Sequence, residues 1–430
     1  MRSRVLKFGG ASLADGQAIA AAVGMVDSAR CDAAVAVIVS APRGVTDTLL
    51  AAASGDNGTS AGDAALDAIA RRFLAIAADV GGPSSHSAGY RVTVERVIGD
   101  LRDRLRAIAD RGGATPRDLD EFLATGERLS APLFALAMVA SGLDAEAVDA
   151  TGLIVTDAEH GDAMPDLEAS SARIRDRLAP LLDTERVPVV PGFVAAAPCG
   201  VTTTLGRGGS DYSAAILGRS LAADRVEFYK EVAGVLTADP DLVSEAQTVP
   251  AISHAELAEL ACFGARVVQY RAARLLAAEG IPGRVRSAFD ASAPETALVG
   301  AHAADTASPK AVTVARGLAG VRVSGYGVTR APAPSVRNLL AGGASAVRIS
   351  HASPEGESSL VVVPADYADA VAADLDRVGA THVRHGLAVV SVVGDGVSHC
   401  AGSIGRLLEE IGRARIATVA VELGGSASGV

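Results

Sequence analysis

Thr202-Thr203-Thr204-Leu205-Gly206-Arg207-Gly208-Gly209-Ser210-Asp211-Tyr212-Ser213-Ala214-Ala215 puts a glycine-rich turn with one arginine, one serine and one aspartate directly ahead of a small-residue helix. Glycines let the backbone come close to a bulky anion, and a helix N-terminus favours negative charge. Arg207 suits a bidentate grip on a carboxylate or phosphate, with Ser210 beside it as a donor. Asp211 has two readings, as a helix N-cap or as an ion-pair partner for a nearby cation. A second turn of this kind opens the chain. There the apolar strand Val5-Leu6 carries Lys7 into Phe8-Gly9-Gly10-Ala11-Ser12. Two anion-binding turns, each with its own cation, suit an enzyme that grips a nucleotide phosphate and an acidic co-substrate together.

Outward from these turns, strands alternate with helices. Val5–Phe8, Ala34–Ser40, Val187–Val190 and Val226–Phe228 are short apolar runs, the pattern of strands covered on both faces. Gln17–Ser28, 60–80, 92–112, Leu119–Ser141 and Ser253–Ala278 read as helices, with a Gly/Pro/Ser loop at 81–88. The alternation predicts an α/β fold, a three-layer sandwich with a mostly parallel central sheet. At 430 residues two or three domains are expected. Composition shifts to Ala, Ser, Thr and Pro near 291–310, which reads as a linker between a catalytic domain at 1–290 and a C-terminal region at 311–430. In that region Val321–Ser324, Pro334–Ala341, Ala346–Ser350, Ser359–Val363 and Ala365–Val378 form a ferredoxin-like βαββα unit. Leu387–Val393, Ser403–Arg413 and a strand at 417–423 form a second, truncated copy.

Composition bounds the function. A net charge of −11 and no lysine/arginine block argue against a nucleic-acid partner. Four scattered cysteines without a CxxC pair argue for a reducing compartment and against a zinc site. The N-terminus is too quickly polar for a signal peptide and no apolar run approaches bilayer length, so a cytoplasmic protein without a membrane partner is expected.

KFGGAS at 7–12, TGERLS at 125–130, VPGF at 190–193, TTLGRGGSD at 203–211, VAGVLTADP at 232–240 and FGARVV at 263–268 occur in this order. The set resembles the aspartate kinase family, an amino-acid-kinase fold followed by ACT-type regulatory domains. The resemblance implies phosphorylation of the side-chain carboxylate of L-aspartate by ATP, with Mg²⁺ carried on the nucleotide. It places Lys7 on the transferring phosphoryl group, with Gly9, Gly10 and Ser12 as phosphate donors and Asp211 orienting Lys7. Arg207 and Ser210 would hold a substrate carboxylate, Glu127 the α-ammonium, and Thr46 and Ser40 would lie beside the substrate. Phe193 would serve as a pocket wall. The family's nucleotide loop resembles Thr/Ser-Asp-Val-Asp-Gly-Val-Tyr-Thr-Ala-Asp-Pro-Arg. Here it runs from Lys230 through Glu231, Leu236 and Asp239 to Asp241, and a later lysine position is Arg266. Loss of the tyrosine and the charge reversal at Asp241 imply weaker ATP binding. A sister kinase for another acidic molecule, or a catalytically weak ACT-containing regulator, are the alternatives. The truncated second copy and Gly343–Ala352, which holds Arg348 and His351, imply a homodimer or higher oligomer joined through the ACT-like region, with weak or absent inhibition by lysine or threonine.

Overall fold

The structure, a computed structural model, describes residues 2–54, 58–81, 84–265, 267–300, 308–325, 347–353, 356–397 and 400–421. It divides into two compact units. The first holds Met1–Val235 and Leu275–Leu298, the second Leu236–Arg274 and Val299–Val430.

In the first unit the order is β1 (Ser3–Phe8), α1 (Gly16–Arg30), β2 (Ala34–Val39), α2 (Val45–Ser54), α3 (Gly58–Val80), α4 (Ser84–Arg111), α5 (Pro116–Ala140) and β3 (Ala145–Ala147). These are followed by α6 (Leu167–Asp183), β4 (Val187–Pro191), β5 (Val194–Ala196), β6 (Thr202–Thr204), α7 (Gly209–Ser220) and β7 (Arg225–Lys230). Strands 3, 4, 2, 1 and 7 are hydrogen-bonded neighbours in that order, and every pairing is parallel. Their carboxyl ends therefore share one edge, where open α/β sheets bind ligands.

The apolar runs explain the layers. Val35, Val37 and Val39 of β2 enter a core built with α1 to α5, whereas the buried Ala34, Ala36 and Ile38 point to the opposite face. Leu6 and Phe8 of β1 join the first core, so Lys7 faces the other side, against which α7 packs. The expectation that no apolar run approaches bilayer length needs correction, since helix α5 is long and apolar enough to cross a membrane; 78% of its apolar window is buried inside the protein, as in a core helix. It starts with a Thr115/Asp118 capping box and Pro116 at its first turn.

Three further expectations for this part of the chain need correction. The loop at 81–88 is shorter, because α4 begins at Ser84; a serine pair marks a helix start as well as a loop. The helix at Ser253–Ala278 is two helices, α8 (His254–Cys262) and α9 (Tyr270–Glu279), separated around Gly264 with φ +103°. Within the expected linker, Thr296–Val299 is a strand that pairs antiparallel with the strand Gly283–Ser287, burying Thr296 and Leu298.

The second unit carries an antiparallel sheet. Ala311–Gly325 is flanked by Gly356–Pro364 on one side and Ala380–Val393 on the other, and Val347–Ser353 pairs outside Gly356–Pro364. In chain order this is 2-3-1-4, the ferredoxin-like arrangement, with the helix Ala368–Leu375 packed on it. The expected first strand of a second copy, Leu387–Val393, is continuous with 380–386. A register shift near Leu318 leaves Ala311–Ala315 and Val389–Val393 as a separate ribbon, and the helix Ala401–Arg413 follows. The expected strand at 417–423 is not formed over 417–421, since no described strand offers its backbone a partner. The expected helix at 334–341, residues 343–346 of the Gly343–Ala352 segment, and 422–423 lie outside the described residues, as does Arg266.

Candidate functional site

The site grows from the carboxyl ends of β1, β2, β4 and β7. At the end of β1, Gly9 caps a short 3-10 helix over Gly10–Leu13, and the Ser12 amide donates to the Gly9 carbonyl at 3.0 Å. A Cβ on Gly10 would stand 2.5 Å from the Ala41 carbonyl oxygen, so only glycine lets this turn pass under the one that follows β2. Lys7, only 6% exposed, reaches Asp211 Oδ1 at 2.8 Å.

The turn ahead of α7 is set by Gly206 and Gly208, at φ +72° and +76°, which leave Arg207 exposed between them. Among the described residues Arg207 makes no ion pair. Gly208 is the N-cap of α7 and Asp211 lies in the first helical turn. Asp211 is thus not the cap, and its carboxylate is spent on lysines. Besides Lys7, Lys230 at the end of β7 lies 2.9 and 3.1 Å from its two oxygens. Burial alone would raise the Asp211 carboxyl, but the two ammonium groups outweigh it and hold the pKa at about 2. Lys230 is pulled down to about 8, first by burial and then by the repulsion of Lys7 against the attraction of Asp211.

Glu127 sits on α5, one residue after Gly126. A Cβ at Gly126 would lie 2.5 Å from Ala41 Cβ, so the glycine admits the turn after β2 against the helix. That contact brings the Ala41 N–H to the Glu127 carboxylate. Glu127 is 5% exposed, and its Oε2 has no hydrogen-bond partner among the described residues. Desolvation pushes its pKa up to about 7, with Lys7 and the Ala41 amide pulling the other way. A buried, half-satisfied carboxylate is a poor structural element and a good receptor for an ammonium.

The other anticipated residues take these places. Ser40 follows β2, its amide donating to the Phe8 carbonyl at 3.2 Å, and Thr46 is half-buried in the first turn of α2. Ser210 is buried beside Asp211. Phe193, at φ +69°, holds a left-handed conformation unusual for an aromatic residue, fixed by its N–H donating to Ser213 Oγ at 2.9 Å. Glu231 pairs with exposed Arg43 at 3.1 Å. Leu236 and Asp241 belong to the second unit. Leu236 bridges Thr248, and the Asp241 amide donates to Asp239 Oδ1 at 3.0 Å.

Sequence reasoning assigned no role to Lys230 or Asp120. Lys230 ends an apolar strand much as Lys7 does, and that parallel was the available signal. Asp120 is completely buried in α5 and accepts from Thr204 Oγ1 at 2.5 Å and from the Gly161 amide at 3.1 Å, with His160 Nδ1 at 2.7 Å. It ties β6 and the 157–161 loop to α5, and so steadies the turn that carries Arg207.

At the carboxyl edge of the sheet, two lysines converge on the buried Asp211 carboxylate, and the buried Glu127, which also feels Lys7, keeps one oxygen without a hydrogen-bond partner among the described residues. The chain belongs to the amino acid kinase family, whose sequence profile matches residues 2–287. It is similar, at 27% identity over 438 residues, to a bifunctional aspartokinase/homoserine dehydrogenase of Haemophilus influenzae, covering 98% of this chain and 53% of that protein. Lysine-sensitive aspartokinase 3 of Escherichia coli is 36% identical over 265 residues, 61% of this chain and 57% of that protein. The chain spans about half the length of the curated relatives it matches. Among solved structures, E. coli aspartokinase III in complex with aspartate and ADP (R-state) has a TM-score of 0.82 at 28% identity, covering 95% of this chain and 91% of that one.

Proposed function

We propose that this protein phosphorylates the side-chain carboxylate of L-aspartate with ATP, giving 4-phospho-L-aspartate and ADP. The observation that carries the reading is the pairing of a cationic, anion-seeking cluster at Asp211 with the buried carboxylate of Glu127, on a fold similar to a kinase solved with aspartate and ADP. A carboxylate oxygen of aspartate attacks the terminal phosphorus. The new P–O bond forms as the bond to the ADP oxygen breaks, and no proton has to move, because the nucleophile is already an anion at pH 7.

The remaining barrier is the meeting of two anions, and this chain's residues answer it by neutralising and aligning. Lys7 sits on the transferring phosphoryl group, its ammonium aimed by Asp211. Gly9, Gly10 and Ser12 supply donors to the phosphates. Glu127 takes the α-ammonium and Arg207, backed by Ser210, takes a carboxylate, while Thr46 and Ser40 line the substrate side. The family resemblance of their sequence motifs assigns Glu231, Leu236, Asp241 and Arg266 to nucleotide binding. Mg²⁺ would arrive on the nucleotide, where it would supply charge neutralisation to the phosphates. We further infer a cytoplasmic homo-oligomer, joined through the C-terminal sheet region.

ADP release with ATP and Mg²⁺, measured against a panel of acidic small molecules, tests the reading. L-Aspartate should drive it with the highest kcat/KM. A different acid driving it better would make the protein a sister kinase, and no ADP with any acid would make it a regulator.

A further inference from the structure

Lys230 is an unexpected residue in this site. Strands β1 and β7 run parallel with Lys7 opposite Phe228, so Lys230, two residues on, emerges on the same face as Lys7. Both ammonium groups reach the same carboxylate, Lys7 at 2.8 Å and Lys230 at 2.9 and 3.1 Å. Asp211 supplies one full negative charge for the two, and Glu127, the other buried carboxylate that feels Lys7, is held at a pKa of about 7 and is only partly charged at neutral pH. The surplus positive charge lies among side chains no more than 16% exposed, and the first turn of α7 adds its own partial positive charge. Like charges at this spacing in a poorly solvated place repel strongly, and burial without compensation is unfavourable. Balancing Asp211 explains Lys7 or Lys230, but not both. An anion arriving between them explains the pair.

We propose that Lys230 is a second phosphate-binding lysine. Its ammonium and that of Lys7 grip the terminal phosphoryl group of the nucleotide from two sides, with Asp211 holding them apart. The inference rests on the phosphoryl-transfer reading above. Binding of the nucleotide then places its own negative charge between the two ammonium groups, leaving Glu127 free for the acceptor. Because Lys230 is held near a pKa of about 8, its grip weakens above that pH. The charged groups facing it are Asp211 on α7 and Lys7 on β1.

The test compares full-length wild type, Lys230→Met and Lys230→Arg by calorimetric titration with Mg·ATP and Mg·ADP in the absence of aspartate, and by steady-state kinetics. In Lys230→Met, affinity for ATP should fall at least tenfold and that for ADP less than threefold. kcat should fall a hundredfold or more, with KM for aspartate within threefold of wild type. Lys230→Arg, which keeps the charge, should recover kcat to within tenfold of wild type. Wild-type ATP affinity should decline from pH 7 to 9.5, and Lys230→Arg should flatten that limb. ATP affinity in Lys230→Met unchanged, or reduced equally for ATP and ADP, would overturn the proposal. So would a wild-type affinity that is flat across that pH range, which needs no variant to fold. The titrations use no acceptor, so they judge Lys230 even if another acid proves to be the substrate.

Discussion

Replacing Glu127 by Gln should make the protein more stable while damaging the reaction. The Glu127 carboxyl titrates near 4.5 when unfolded and at about 7 in the folded protein. Between those values the folded state binds more protons than the unfolded one, so stability falls as pH rises through this window and stays low above it. A shift of about 2.5 units at roughly 1.4 kcal/mol each is about 3 kcal/mol of penalty carried by the charged form. Glutamine has the same shape, keeps an acceptor for the Ala41 amide and has no charge to desolvate. Glu127→Gln should therefore be more stable than wild type by up to about 3 kcal/mol at pH 8, and indistinguishable from it at pH 4. In calorimetry that is a rise of several degrees in the Tm of the transition that includes the first unit, at about 2–4 °C per kcal/mol. The same change should raise KM for aspartate by about a hundredfold, since a buried ammonium loses its counter-charge. Equal or lower stability at pH 8, or the same offset at pH 4 and pH 8, would refute the reasoning.

Three further outcomes follow from the geometry. Gly126→Ala would drive a methyl group to 2.5 Å from Ala41 Cβ, so it should destabilise by about 1–3 kcal/mol in a denaturant melt and raise KM for aspartate by displacing the turn that holds Thr46. Arg207→Met removes an exposed guanidinium with no ion pair among the described residues, so Tm should stay within a degree or two while aspartate affinity falls ten- to a hundredfold. Restoring the tyrosine and arginine of the nucleotide loop with the double change Leu236→Tyr and Asp241→Arg should lower KM for ATP severalfold, as read in coupled ADP-release kinetics; no gain would mean that other residues hold the nucleotide.

The parts of this fold that the sequence made legible are those where one physical demand acts alone. Ala34–Val39 is apolar at every position because both faces of the sheet are covered, and the two glycine turns announce themselves because Gly10 has no space for a Cβ and Gly206 and Gly208 hold left-handed backbone. Glu127 was different. By spacing it resembles a solvated helix charge, and only the family resemblance gave it a role, since α5 is buried on nearly every side and its periodicity marks no wet face. Lys230 lay in a run read for its losses rather than its gains, and its meaning depends on a register between β1 and β7 that no local pattern encodes. Thr296–Val299 was hidden by linker-like neighbours, and the break near Gly264 by an unbroken apolar rhythm on both sides.

The central claim is that the anion held at Lys7 and Asp211 is a phosphoryl group on its way to the side-chain carboxylate of aspartate. Hydroxylamine trapping of the product, with purified protein, ATP, Mg²⁺ and L-aspartate, addresses it most directly, run beside Lys7→Ala. The account predicts aspartyl hydroxamate in step with ADP for wild type, and a loss of several orders of magnitude in the folded Lys7→Ala variant. ADP formed with inorganic phosphate and no hydroxamate, or near wild-type turnover without Lys7, would contradict it.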